Sequence, residues 1–356
     1  MSRRGSEIGA FIAGIVTLVA LWQLLQLINI EPPFPHAATV AARVCRWLAF
    51  CMWVAAVLYP RWMHRAAVVA HSVEVGSAIA FLVADGGLLF LLQVQLSLEG
   101  VAVGPFFSGA FLLNTSFGRH WLFRLAIVLI GLVLSLRRHP TVLFPLLLLS
   151  IDLAATGHPG SGSHPLLPVF IDVVHQWSYA TWAGGVFFLA CIDRVMQLRQ
   201  GQEIELAVIR RFSAGVRWSV LLLAISGFAA GYEMIRADFH FLQFDYGRDL
   251  LGKGLFFLLA LLAAASHLLY TERRNQLHPG ALFGRALRFE AIALLLAFVV
   301  AGALVDRNPP DPTAEEPAFF LGMILQQPGF AGWAVLEVMG WCAVALLPGR
   351  RAGPGA

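Results

Sequence analysis

Apolar segments of about 20 residues, the length that crosses a bilayer as a helix, recur along this chain between short polar loops. Hydrophobic residues make up 58% of the 356 residues and charged residues only 13%, whereas about 25% of an average soluble domain is charged. A soluble chain of this length has too little core for so much apolar surface. The pattern therefore predicts an all-α, polytopic transmembrane helical bundle with the lipid bilayer as its solvent.

About ten segments meet the length criterion for a span. They are residues 8–30, 40–59, 67–98, 119–137, 140–157, 168–198, 206–234, 248–272, 286–306 and 329–348. We divide the chain into an extra N-terminal transmembrane helix (residues 1–37), an eight-helix transmembrane core (38–308), and a loop with an extra C-terminal transmembrane helix (309–356). The first apolar run is span-length and no small-residue cleavage site follows it, so we expect this helix to be retained.

The distribution of arginine indicates the orientation. Alternate loops hold arginines, among them Arg3, Arg4, Arg137, Arg138, Arg210, Arg211, Arg273, Arg274, Arg350 and Arg351. The loops between them hold acidic residues, among them Glu31, Glu99, Asp238, Asp311, Glu315 and Glu316. Cytoplasmic loops carry the excess of arginine, so we expect both termini to be cytoplasmic. The net charge of +4 includes no basic run longer than two residues, which argues against a nucleic-acid partner.

An internal echo links two spans. Residues 117–124 and 246–253 both read aromatic-Gly-Arg-x-x-Leu-x-cation, which makes Arg119 equivalent to Arg248 and Arg124 equivalent to Lys253. The echo predicts two related halves with the same orientation, a common transporter design. The alternative is a chance similarity between two aromatic-arginine anchors at the membrane surface.

Charged residues inside the predicted spans are costly unless they face the bundle interior or a partner. Asp85, Asp152, Arg124 and Lys253 are among them, and each of the two cations can pair with Asp152 or Asp85. One interpretation is a translocation path or proton relay. The other is a set of internal ion pairs that specify helix packing.

Three histidines fall on one predicted hairpin at the outer face: His158, His164 and His175. Imidazole is a suitable ligand for copper, zinc, iron and nickel. Along the second helix of the hairpin, four residues at steps of three and four share one face: Asp172, His175, Tyr179 and Trp182. A carboxylate one turn from a histidine can orient a metal ligand. The competing interpretation is that these histidine, tyrosine and tryptophan side chains anchor the helix at headgroup depth.

Short motifs in a fixed order resemble the copper resistance protein D (CopD) family of bacterial inner-membrane proteins. The first group is Thr115-Ser116-Phe117-Gly118-Arg119 with Trp121 and Arg124, then Thr156-Gly157-His158, Asp172-Val173-Val174-His175 and Trp182-Ala183-Gly184-Gly185. The second group is Arg211-Phe212-Ser213 with Ser226-Gly227, Tyr246-Gly247-Arg248 with Leu250, Leu251 and Lys253, and Arg288-Phe289-Glu290. The resemblance covers roughly residues 40–308.

The resemblance implies a multi-pass protein of the bacterial inner (plasma) membrane that moves copper inward from the periplasm, often with a periplasmic copper-binding partner. It makes His158 and His175 candidate copper ligands, to which proximity adds His164. We place six further residues around the site or along a pathway: Asp172, Trp182, Asp152, Arg119, Arg248 and Lys253. The resemblance leaves the choice between Cu(I) and Cu(II) open. The extra first or last helix can dock a membrane partner.

Two other functions stay open at this point. Paired histidines such as His158 with His175 and His71 with His267 can hold b-type haem in an electron-transfer protein, which an absorption spectrum would reveal. The chain can also be an accessory subunit that loads or assembles a membrane metalloenzyme, which purification in mild detergent would reveal. We do not expect an enzyme, because the sequence contains no nucleophile–base constellation, phosphate-binding loop or nucleotide motif.

Overall fold

A computed structural model of the protein describes residues 36–62, 67–100, 108–157, 166–200, 206–235, 245–273 and 280–305. The α-helices in these ranges are α1 (His36–Leu58), α2 (Ala67–Leu98), α3 (Gly109–Asn114), α4 (Ser116–Leu136), α5 (Leu143–Thr156), α6 (Leu166–Gln200), α7 (Leu206–Ile235), α8 (Asp245–Arg273) and α9 (Gly280–Leu304). Turns of 3-10 helix follow α1 and precede α5. The predicted end helices (8–30 and 329–348), His158 and His164 lie outside the described residues.

The prediction of an all-helical membrane bundle is confirmed for the described ranges, where every regular element is a helix. Six helices there are long and apolar enough to cross a membrane. They contain the stretches Ala37–Leu58, Ala70–Leu98, Ser116–Leu136, Val208–Gly231, Tyr246–Ser266 and Phe283–Leu304. A shorter apolar stretch covers Pro140–Thr156. The total of ten spans and the cytoplasmic termini remain predictions.

At one end of the bundle, three contacts each join the first part of one helix to the last part of another. Arg43, near the start of α1, donates from Nη1 to the carbonyl oxygen of Gly302 near the end of α9 at 3.2 Å. Arg124 of α4 bonds to Thr156, the last residue of α5. His175 of α6 bonds to a serine near the end of α7. We call this the polar end, because the candidate site residues of the described ranges gather there.

The centre of the bundle is formed by α1, which packs against α2, α5, α6 and α9. Its aromatic side chains Phe50 and Trp53 are fully buried, as are Trp182 and Phe188 of α6. The indole nitrogen of Trp53 donates to Ser135 Oγ of α4 at 3.1 Å, so the buried N–H group has a hydrogen-bond partner. Large apolar side chains of α7 and α8 are exposed instead, as expected for faces that meet lipid.

Candidate functional site

Arg124 is the centre of a buried polar network at the polar end. Thr115 caps the start of α4 by accepting from the Gly118 amide, which places Arg124 two turns inside the helix. All three guanidinium nitrogens donate: Nε to Asp152 Oδ2 at 2.7 Å, Nη1 to Asp85 Oδ1 at 3.1 Å and Nη2 to Thr156 Oγ1 at 2.9 Å. The ion pairs predicted for Arg124 are therefore present, and they join α4 to α2 and α5.

Two further side chains extend this network. Arg46 of α1 donates from Nη1 to Asp85 Oδ1 at 2.9 Å, and His120 Nδ1 lies 3.0 Å from Asp152 Oδ1. The Asp152 side chain is only 1% exposed, whereas that of His120 is 45% exposed. Two arginines thus balance two aspartates inside the apolar bundle, and His120 connects them to its surface. We call these residues, with Thr156, the arginine network.

The cation equivalent to Arg124 has a different environment. Lys253 of α8 is close enough to Asp172 and His175 of α6 to interact electrostatically with both. The acidic partner of Lys253 is therefore Asp172, whereas Asp85 and Asp152, the partners proposed from the sequence, bind arginines. Which acid pairs with each cation depends on which helices are neighbours, and the echo by itself does not specify that.

The echo has the same register in both helices. Arg119 is the fourth residue of α4, which begins at Ser116, and Arg248 is the fourth residue of α8, which begins at Asp245. Arg124 and Lys253 are the ninth residues by the same count. Arg119 is exposed and Arg248 half-buried. Both helices therefore carry an arginine in the first turn and a second cation five residues further on, which is buried in α4 and half-buried in α8. Two related halves remain a prediction.

His175 faces α7. Its Nδ1 lies 3.1 Å from Ser226 Oγ, and its ring meets the Tyr179 ring edge-on, with 5.8 Å between centroids. Asp172, which the sequence suggested as the orienting carboxylate, accepts from Gln176 Nε2 at 2.7 Å. Within the described residues, the hydrogen bond that orients His175 therefore comes from Ser226, a residue that helix-face arguments along α6 do not reach.

Trp182 lies deeper in the bundle. Its indole Nε1 donates to Glu290 Oε1 of α9 at 2.8 Å, and both residues are 1% exposed. The ring also meets Phe257 of α8 edge-on, at 5.6 Å between centroids. Trp182 therefore ties α6 to a buried carboxylate, a partner that sequence reasoning missed. The signals for it were a glutamate within an apolar span and its place in the Arg288-Phe289-Glu290 motif.

Comparison with known proteins adds one similarity. The chain is 27% identical over 252 residues to a curated protein of Bacillus subtilis (strain 168) named Copper transport protein CutJ. This chain is therefore similar to a copper transport protein. The match covers 64% of this chain and 45% of the relative, so the chain spans less than half the length of the curated relative it matches. No protein-family profile and no solved structure matches.

The motifs that resemble the CopD family contact one another in the fold. Four pairs join separate motifs: Arg124 with Thr156, His175 with Ser226, Trp182 with Glu290, and Gly185 with the ring of Phe212. Each pair connects two helices. The motifs in these four pairs are therefore parts of one connected structure.

The predicted copper site is described only in part. His175 is the one of its three candidate ligands that falls in the described ranges. Within those ranges, no group of three or more histidine, cysteine, aspartate and glutamate side chains is arranged to hold a metal ion. The three-histidine site at the hairpin therefore remains a prediction.

Replacing Trp182 by phenylalanine should destabilise the folded protein by about 1–3 kcal/mol, the usual cost of leaving a buried acceptor short of a partner. Because Trp182 is fully buried, the smaller ring also leaves a cavity, which adds to the cost of the lost donor to Glu290. Glu290→Gln keeps an oxygen that can accept from Trp182 and should cost less. The measurement is the thermal denaturation midpoint of each detergent-solubilised variant, and equal midpoints for Trp182→Phe and the unchanged protein would contradict the expectation.

Proposed function

We propose that this chain is a copper transport protein of the bacterial inner membrane, without enzymatic activity, and that its polar end faces the periplasm. Its similarity to a curated copper transport protein carries the proposal. A helical bundle with buried charges at one end of its spans is the kind of structure that a transporter of ions requires.

In this proposal, copper first binds at the histidine hairpin. α5 ends at Thr156 and α6 begins at Leu166, so His158 and His164 belong to the short connection between the two helices. His175 lies in the third turn of α6, on the polar end. The connection is short enough for the three imidazoles to share one ion, and imidazole is a suitable ligand for copper.

The proposed path continues from the hairpin into the bundle. Asp172 lies one turn before His175 on α6, Lys253 of α8 is close enough to interact with both electrostatically, and Trp182 follows two turns further along α6. Asp152 belongs to the arginine network on the neighbouring helices, while Arg119 and Arg248 stand at the starts of α4 and α8. We assign this polar seam, between the two halves that the echo suggests, to the passage of copper.

The proposal includes two kinds of partner. A periplasmic copper-binding protein would deliver copper to the histidine hairpin. A membrane protein would dock against the extra first or last helix, in residues 1–37 or 309–356. Neither role involves nucleic acid.

His175→Ala should lower the initial rate of cellular copper uptake roughly tenfold or more at limiting copper. Losing even an outer-shell partner of a metal ligand costs about 10–100-fold in affinity, and this change removes a proposed ligand itself. We expect His158→Ala with His175→Ala to abolish uptake above background. Radiolabelled copper uptake by cells, normalised to the amount of membrane-inserted protein, provides the measurement.

His139→Ala is the matched control for this experiment. His139 lies in the turn between α4 and α5, at the end of the bundle opposite to the polar end, and is exposed. Its substitution should leave copper uptake unchanged. Wild-type uptake by the double variant, at normal protein level, would rule out the histidine hairpin as the copper-binding site.

A further inference from the structure

The hydroxyl of Ser226 has a single proton, and the distances from its oxygen indicate which acceptor takes it. Ser226 is 5% exposed, and its Oγ donates to the carbonyl oxygen of Leu222 in the preceding turn of α7 at 2.6 Å, with a longer contact of 3.3 Å to that of Leu223. A serine hydroxyl has one proton to donate and two lone pairs to accept with. Towards any other group, Ser226 Oγ therefore acts as an acceptor.

The other group is His175. Its Nδ1 lies 3.1 Å from Ser226 Oγ, and because the hydroxyl proton is already used, Nδ1 must supply the hydrogen. A neutral imidazole carries its proton on one ring nitrogen and a lone pair on the other. The lone pair of neutral His175 is therefore on Nε2, and Nδ1 is the ring nitrogen that has a hydrogen-bond partner within the described residues.

The residue after Ser226 makes this geometry sterically accessible. A Cβ atom at Gly227 would lie 3.3 Å from His175 Cε1 and 3.7 Å from Nδ1. The backbone of α7 is thus packed against the ring edge that carries Nδ1, and the Tyr179 ring meets the imidazole from α6. Ser226 and Gly227 together hold the ring at its Nδ1–Cε1 edge, and Nε2 is the ring nitrogen further from Gly227.

We propose that Ser226 is a positioning residue that fixes His175 as its Nδ1–H tautomer, so that Nε2 is the atom that binds the metal ion. Histidine ligands commonly donate their second ring N–H to a neighbouring oxygen, which fixes both the tautomer and the ring orientation. The identity of the ion as copper rests on the proposed function. The tautomer rests on the hydrogen bonds of Ser226 alone.

The tautomer can be measured without metal. Protein labelled with ¹⁵N-histidine, in lipid nanodiscs at a pH where imidazole is neutral, gives ¹⁵N shifts that separate protonated from unprotonated ring nitrogens. The His175 signals are those absent from His175→Gln. We expect a protonated Nδ1 and an unprotonated Nε2. Ser226→Ala should lose this preference, and Ser226→Thr, which retains a hydroxyl with the same backbone bond, should restore it.

Copper affinity provides the second readout. Competition of the purified protein with a Cu(I) chelator should show about 10–100-fold weaker binding in Ser226→Ala, as for other losses of a ligand's hydrogen-bond partner, and recovery in Ser226→Thr. Alanine is a good helix former, so we expect both variants to remain monodisperse in detergent, which separates this effect from misfolding.

The outcomes distinguish the two proposals. A protonated Nε2 in the unchanged protein, or a tautomer that is the same in Ser226→Ala, would overturn the positioning role. Equal Cu(I) affinity in Ser226→Ala and the unchanged protein would overturn Nε2 of His175 as the ligating atom while leaving copper transport in place. The expected tautomer together with no copper binding by the unchanged protein would instead overturn the proposed function.

Discussion

Arg124→Met is expected to destabilise the protein by about 3–5 kcal/mol, the range observed when one partner of a buried ion pair is removed. Arg124 donates to Asp152, Asp85 and Thr156, and the carboxylate of Asp152 is 1% exposed. Without the guanidinium, that carboxylate stays in the apolar bundle, where its partner among the described side chains is His120. We expect a large loss of monodisperse protein after detergent extraction and a markedly lower thermal midpoint.

Two further variants show whether the buried charge is the cause. Arg119→Met removes an exposed arginine five residues earlier on the same helix, and surface changes of this kind usually alter stability by less than about 0.5 kcal/mol. Arg124→Met combined with Asp152→Asn should regain part of the loss, because Asp85 keeps its 2.9 Å pair with Arg46. An Arg124→Met protein as stable as Arg119→Met would contradict the role of the arginine network.

Gly184→Ala is expected to cost about 1–3 kcal/mol or more, as for other over-packed interiors. A Cβ atom at Gly184 would overlap the backbone carbonyl group of Cys51, where α6 crosses α1 at the centre of the bundle. A backbone atom cannot rotate away as a side chain can, so the two helices must separate. Close approach through small residues is a common basis of helix association in membranes, and this substitution removes it.

Gly76→Ala is the matched control. Gly76 lies within the apolar span of α2, and a Cβ atom there would have nothing within 4 Å. Alanine should be neutral at this position, or stabilising by up to about 1 kcal/mol because it is the better helix former. Thermal midpoints of both variants in the same detergent test the comparison, and equal midpoints for Gly184→Ala and Gly76→Ala would show that the α1–α6 crossing is not tightly packed.

The ranges of several helices could be predicted closely from hydropathy. Residues 67–98, 168–198 and 206–234 correspond to helices Ala67–Leu98, Leu166–Gln200 and Leu206–Ile235. Hydropathy suffices here because a chain in hydrocarbon must satisfy every backbone group within the same segment, and a helix does so. The apolar length then determines the helix length, with no information about its neighbours.

The candidate site was less accessible to sequence reasoning. Because a charge in hydrocarbon is costly, the sequence indicated that Arg124 needs acidic partners. Asp152 and Asp85 were among the acidic residues available in the predicted spans. The electrostatic pairing of Lys253 with Asp172 and the hydrogen bond between His175 and Ser226 did not follow from the sequence. Ser226 is a small residue in an apolar span, and such residues commonly bond only to their own helix.

What the sequence by itself determined about this protein is its solvent, its helices and the residue types that need partners. Those properties depend on local composition, because the transfer of each side chain between water and hydrocarbon is set by that side chain. Only the tertiary structure decided which helices meet, and thus that Trp182 reaches Glu290 and that Ser226 holds one edge of His175. Helix contacts depend on the shapes of two surfaces at once, and neither surface can be read from one segment alone.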